Sequence, residues 1–104
     1  MSKILNNQMR FTRMVSLLLD YADMLGYEIT LGDAYRDARC PYGSENSFHH
    51  KRLAIDLNLF RNGVYLKNTL DHKPLGEFWE FIGGSWGGRW NDGNHYSLGE
   101  NKKK

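Results

Sequence analysis

Two histidines and two aspartates in this chain stand at spacings that could hold and use a metal ion. His49 is followed seven residues later by Asp56, and His95 closes the stretch DGNH that begins at Asp92. Two histidines and one carboxylate form a ligand set that zinc accepts, and three protein ligands leave a fourth position open. A second carboxylate beside such a site could act as a general base. The spacing therefore points to zinc on His49, Asp56 and His95 with Asp92 as the base, although such spacings also occur by chance.

The residues around Asp56 predict how its side chain is presented. Large apolar side chains alternate with small or polar ones along residues 53–59. This alternation predicts a strand, because successive side chains of a strand point to opposite faces. The apolar face comprises Leu53, Ile55, Leu57 and Leu59. Asp56 then stands on the opposite face, where the small Ala54 leaves room beside it. If residues 95–98 form an antiparallel neighbour in the matching register, the Cβ atoms of Asp56 and His95 lie about 5 Å apart, within reach of one metal ion.

Two amphipathic helices are predicted to support these strands. Residues 7–25 carry apolar side chains at three- and four-residue spacing, which predicts a helix capped by Asn6 or Asn7 and ended by Gly26. Pro74 suits the first turn of a second helix, which stops at residues 83–84. The apolar stripe of this second helix includes Trp79, which we assign to the core.

The remaining segments predict a small antiparallel sheet. The pattern of residues 27–31 predicts a strand. Residues 53–66 are predicted to form a hairpin that turns at Asn62 and Gly63. Residues 38–52 read as a loop, and a short strand follows at residues 95–98. Together with the flanking helices, these strands predict an α+β fold.

Length and composition limit the class of protein. With 104 residues, the chain is expected to form one domain over residues 1–104, in which Lys102, Lys103 and Lys104 are a disordered tail. The net charge is +2, and three of the positive charges lie in that tail, so no nucleic-acid partner is expected. A single cysteine, Cys40, excludes an internal disulfide and a cysteine-based zinc site. No apolar stretch is long enough to span a membrane, so no stable membrane association is expected.

The stretches SFHHKRLAIDLNLF and GGSWGGRWNDGNHYSL carry a resemblance to a known family. They resemble the zinc peptidases of the D-alanyl-D-alanine carboxypeptidase and L-alanyl-D-glutamate endopeptidase family, especially its short bacteriophage endolysin branch. The family pattern is Ser-x-His followed by Asp seven residues after the His, and then a distant acid-x-x-His. It is met by Ser47, His49, Asp56, Asp92 and His95. The resemblance runs over residues 32–98.

This resemblance implies a role for each matching residue. It implies that His49, Asp56 and His95 bind Zn²⁺ and that Asp92 is the general base and acid. It also implies that Arg36, in AYRD, steadies the substrate carbonyl and its developing negative charge. The implied fold is the small α+β fold shared with the zinc domain of hedgehog proteins.

The same resemblance implies a substrate and a place of action. The substrate is expected to be the peptide stem of bacterial peptidoglycan, cut by an L-alanyl-D-glutamate endopeptidase. A D-alanyl-D-alanine carboxypeptidase and a non-catalytic zinc-containing wall-binding module are the alternatives; a magnesium-dependent nuclease is disfavoured by the charge. A monomeric phage endolysin is expected to accumulate in the host cytoplasm without a signal peptide. A separate membrane-permeabilising protein is then expected to release it to the wall.

Several of these residues also have ordinary interpretations. Asp92 in NDGN is typical of a turn, and Arg36 could simply pair with a neighbouring aspartate. Ser47 could cap the loop or orient the site by a hydrogen bond. Trp86 and Trp90 lie in a glycine-rich segment, where they are expected to contact the substrate or to support the metal ligands from behind.

Overall fold

Two helices and five antiparallel strands form the part of the chain that the computed structural model describes, which is residues 2–32 and 53–99. The helices are α1 (Lys3–Met24) and α2 (Lys73–Phe81). The strands are β1 (Glu28–Leu31), β2 (Ala54–Arg61), β3 (Val64–Leu66), β4 (Ser85–Trp86) and β5 (His95–Ser97). Two 3₁₀ turns complete the order: a first turn at Thr69–His72 before α2, and a second at Gly87–Trp90 after β4. The predicted α+β class, with helices flanking a small antiparallel sheet, is confirmed.

Helix α1 begins earlier than its apolar spacing suggested. Ser2 is the N-cap, and its side chain accepts a hydrogen bond of 3.2 Å from the Leu5 N–H. The prediction that Asn6 or Asn7 caps the helix was wrong, because a serine at the cap position already satisfies a free N–H of the first turn. The predicted apolar face is buried at Phe11, Met14, Leu18 and Ala22. The chain leaves the helix through Gly26 at φ +85°, as expected.

Strand β2 is the centre of the sheet. Along one edge its residues 57–60 pair with β1. Its residues 54–56 pair with β5 and its residues 59–61 with β3, and β5 also pairs with β4. The β2–β3 hairpin turns at Asn62 and Gly63, whose φ angles of 51° and 77° are those of the tight turn that their sequence predicts.

The core lies between the apolar face of β2 and the two helices. Leu57, Leu59, Leu75 and Trp79 are all fully buried, which confirms the predicted face of β2 and the core position of Trp79. Pro74 lies in the first turn of α2, also as predicted. The two 3₁₀ turns and β4 were not predicted. Within the described ranges, neither helix has the length and apolar character needed to cross a lipid bilayer.

Candidate metal-binding and catalytic site

Asp56 and His95 face each other across the β2–β5 pair. They are direct partners in the register, and Asp56 Oδ1 lies 3.3 Å from His95 Nδ1. Their side chains are 20% and 9% exposed, so both are largely buried. The condition under which the sequence places Asp56 beside His95, an antiparallel pair in this register, is met. Two potential metal ligands from distant parts of the sequence are thereby brought together.

The separation of the two donor atoms is compatible with a shared zinc ion. Two ligands of one tetrahedral zinc, each about 2.0–2.1 Å from the ion, are separated by about 3.3 Å. The observed distance of 3.3 Å between a carboxylate oxygen and an imidazole nitrogen meets that requirement. An imidazole–carboxylate hydrogen bond accounts for the same distance when no metal is bound. The donor types and their spacing therefore fit zinc.

A third ligand would come from outside the described residues. Among residues 2–32 and 53–99, no group of three or more histidine, cysteine, aspartate or glutamate side chains lies together. His49, predicted as the third ligand, lies in the segment 33–52 that the structure does not describe. Arg36 and Ser47 lie in the same segment, and their predicted roles stay predictions.

Gly32, the last described residue before that segment, lies against Asp56. The Gly32 N–H donates a hydrogen bond of 2.7 Å to the Asp56 carbonyl. A Cβ atom at position 32 would lie 3.2 Å from the Asp56 Cβ, so the backbone passes directly against this residue. Residue 32 is therefore a neighbour of the candidate metal ligand in space as well as the last described residue before the segment.

Asp92 lies at the start of a tight turn that leads into β5. The His95 N–H donates to the Asp92 carbonyl at 3.1 Å, which closes the turn over Gly93 and Asn94. The Asp92 N–H donates to the Gly87 carbonyl at 2.8 Å, and Asp92 is exposed. Asp92 is therefore three residues from His95 in a turn of defined shape. Its role as a base stays a prediction.

The two tryptophans of the glycine-rich segment occupy different environments. Trp86 is only 4% exposed, and its indole N–H donates a hydrogen bond of 2.7 Å to the Gly93 carbonyl. Of the two roles considered for Trp86, this burial fits support from behind and not contact with substrate. Trp90 is half-buried, and its ring centroid lies 6.0 Å from that of His95. Trp90 is therefore the better candidate for contact with a bound substrate.

A buried polar pair behind β5 was not anticipated as part of the site. His72 is 2% exposed, and its Nδ1 lies 2.8 Å from the Tyr96 hydroxyl. Burial lowers the pKa of His72 to about 4, against a smaller opposing effect of Asp71, so the imidazole is neutral at physiological pH. Burial also raises the pKa of the Tyr96 hydroxyl. In the sequence His72 stands two residues before Pro74, and no local spacing links it to Tyr96, 24 residues later.

Comparison with known proteins agrees with this geometry. The family model for D-alanyl-D-alanine carboxypeptidases matches residues 42–98, which is more than half of the chain. A comparison with curated proteins gave no match. The matched span contains both members of the Asp56–His95 pair, Asp92 and the predicted ligand His49. The chain therefore belongs to the D-alanyl-D-alanine carboxypeptidase family and is a peptidase of the kind that acts on peptidoglycan.

Proposed function

We propose that this protein is a zinc-dependent peptidase that hydrolyses the L-alanyl-D-glutamate bond in the peptide stem of bacterial peptidoglycan. The observation that carries the proposal is the Asp56–His95 pair, at 3.3 Å in matched register within the span that the family model covers. Zinc would be held by this pair together with His49, and when bound it would polarise the scissile carbonyl as a Lewis acid.

The residues of the chain would supply the proton transfers and the binding of the substrate. Asp92 takes a proton from the attacking water and passes it to the leaving amine, as general base and then general acid. Asp92 is exposed, which is compatible with contact to water and to the substrate. Arg36 steadies the carbonyl oxygen as negative charge develops on it. Trp90 offers part of its ring to the substrate beside His95.

We further propose that the protein acts as a phage endolysin. It would work as a monomer on the wall, without a nucleic-acid or stable membrane partner, after a separate membrane-permeabilising protein gives it access. The similarity of its two motifs to the short endolysin branch supports this proposal. Fractionation of expressing cells tests the release step, because a protein that reaches the wall without help would contradict it.

A second candidate function is that of a D-alanyl-D-alanine carboxypeptidase, which the description of the matching family favours. Both reactions need the same metal ligands and base, so they differ in the products: release of free D-alanine against a new amino terminus on D-glutamate. A wall-binding module that keeps zinc without catalysis would give neither product.

Two variants separate metal binding from proton transfer. Asp92→Ala is expected to retain zinc but to lose cleavage by about 10²–10⁴-fold, the usual contribution of a general acid or base. His95→Ala is expected to lose both zinc and cleavage. Metal content by atomic emission and digestion of purified peptidoglycan measure the two properties. Asp20→Ala, which removes an exposed carboxylate from α1, is the matched control and should retain both. Full activity in Asp92→Ala would contradict its assignment as the base.

A further inference from the structure

The first 3₁₀ turn, Thr69–His72, contacts the segment that carries Asp92 and His95. The Gly93 N–H donates a hydrogen bond of 3.2 Å to the Thr69 hydroxyl, across 24 residues of sequence. The same hydroxyl lies 3.5 Å from Asn91 Oδ1, to which it can donate its own hydrogen. One side chain thus contacts the residue before Asp92 and the residue after it.

The contact at Gly93 is close, and both backbone polar groups of this residue are hydrogen-bonded to side chains outside the turn. While Thr69 accepts from the Gly93 N–H, the buried Trp86 indole donates to the Gly93 carbonyl at 2.7 Å. A Cβ atom at position 93 would lie 2.6 Å from the Thr69 Cα, so only glycine allows this approach. The turn that begins at Asp92 is therefore attached to the rest of the protein by two side chains outside it.

A second contact ties the same 3₁₀ turn to β5. His72, at its other end, lies 2.8 Å from the Tyr96 hydroxyl, and Tyr96 follows His95 directly. The turn thus holds the peptide group after Asp92 through Thr69 and the strand that carries His95 through His72. The 3₁₀ turn therefore contacts both the segment of the predicted base and the strand of the candidate metal ligand.

We propose that Thr69 is a positioning residue for Asp92. Its hydroxyl holds the Gly93 N–H after Asp92 and contacts the Asn91 side chain before it, and thereby sets where the Asp92 carboxylate lies relative to the metal ligands. This role rests on the proposed function, because it assumes that Asp92 is the general base. In this role Thr69 acts through its contacts to Asn91 and Gly93 and not on the reacting atoms.

The hydroxyl is tested by a pair of substitutions of nearly equal shape. Thr69→Val keeps the branched side chain and removes the hydroxyl, whereas Thr69→Ser keeps the hydroxyl. We expect kcat on peptidoglycan to fall about tenfold in Thr69→Val, with KM and zinc content changed less than twofold. Thr69→Ser is expected to retain kcat within about twofold. Thr12→Val, on the exposed surface of α1, is the matched control and should leave all three quantities unchanged.

A readout independent of activity tests the contact itself. Amide hydrogen exchange at Gly93 is expected to be slow in the wild type and in Thr69→Ser, and at least about tenfold faster in Thr69→Val. If Thr69→Val fails to fold by circular dichroism, Thr69→Ala against Thr69→Ser gives the same comparison with a smaller side chain.

The outcomes distinguish the two proposals. An active wild type with full kcat in Thr69→Val would overturn the positioning role alone, and so would a Thr69→Ser variant as impaired as Thr69→Val. A wild type that binds zinc but cleaves no peptidoglycan would overturn the proposed function and the positioning role with it. Loss of kcat in Thr69→Val together with faster Gly93 exchange, both restored in Thr69→Ser, supports the role.

Discussion

The two ends of β2 pair with strands at very different distances along the chain. Its first three residues pair with β5, whose His95 lies 39 residues after Asp56. Its last three residues pair with β3, which follows after a two-residue turn. The first end carries the candidate metal ligand, and the second carries none of the predicted site residues. The hairpin end is specified locally, by the backbone conformation of Asn62 and Gly63. The site end is specified by side chains from elsewhere, including Trp86 and Thr69. The candidate site thus lies at the end of β2 whose structure depends on long-range contacts.

The largest effect is expected from removing the carboxylate at the site end. Asp56→Ala should lower zinc content and reduce cleavage by more than about 100-fold. Removing a group that only hydrogen-bonds to a metal ligand already lowers metal affinity or activity by about 10–100-fold, and Asp56 is expected to be a ligand itself. The metal-free protein should also lose about 1–3 kcal/mol of stability, because the Asp56 side chain is only 20% exposed and its removal takes away a hydrogen bond from the buried His95. Metal analysis and urea denaturation measure the two effects, with Asp20→Ala as the control. A variant with full zinc and full activity would remove Asp56 from the site.

The next effect in size is a pH dependence of stability. It comes from His72, which contacts Tyr96 in β5. The pKa of His72 is about 4 in the folded protein and about 6.5 in the unfolded chain. Between these values the unfolded chain binds a proton that the folded protein does not, so stability falls as the pH is lowered. The contribution of His72 should be about 2 kcal/mol lower at pH 5 than at pH 7.5.

Urea denaturation at the two pH values measures this difference. His72→Asn removes the titrating group and is the control, since its stability should fall less over the same interval. If the wild type and His72→Asn lost stability equally between pH 7.5 and 5, His72 would not be held neutral by burial.

The smallest effect is expected at the hairpin end. Gly63 has φ +77°, so Gly63→Ala should lose about 1 kcal/mol of stability through the left-handed backbone alone. Gly63→Asn should lose less, because asparagine tolerates this conformation better than alanine. Cleavage should be unchanged in both variants, because the turn is at the far end of β2 from Asp56. A clear loss of activity in a folded Gly63→Ala protein would contradict the separation of the two ends.

The features that the sequence predicted well are those determined by residues close to one another in the chain. Alternation along residues 53–59 predicted which face of β2 is buried, and the Asn–Gly pair predicted the hairpin. Proline in the first turn predicted the start of α2. The start of α1 was missed because Asn6 and Asn7 are also residues that suit an N-cap, and the apolar spacing does not distinguish them from Ser2, which provides the cap.

The features that the sequence could not predict depend on contacts between distant residues. The register of β2 against β5 was only a condition in the prediction, since alternation leaves the partner residue undetermined. Strand β4 has two residues, too few for a periodic signal. Thr69 carried no signal, because its role comes from a glycine 24 residues away. The sequence left two roles open for Trp86, because its burial depends on contacts that no local pattern indicates.

The most direct test of the account is digestion of purified peptidoglycan by the wild-type protein, followed by mass spectrometry of the new termini. The digestion is carried out as purified, with a chelator, and with zinc restored after chelation. We expect new amino termini on D-glutamate that disappear with the chelator and return with zinc. Release of free D-alanine in the same zinc-dependent manner would identify the carboxypeptidase instead, and zinc binding without any cleavage would contradict the claim that the Asp56–His95 pair belongs to a catalytic site.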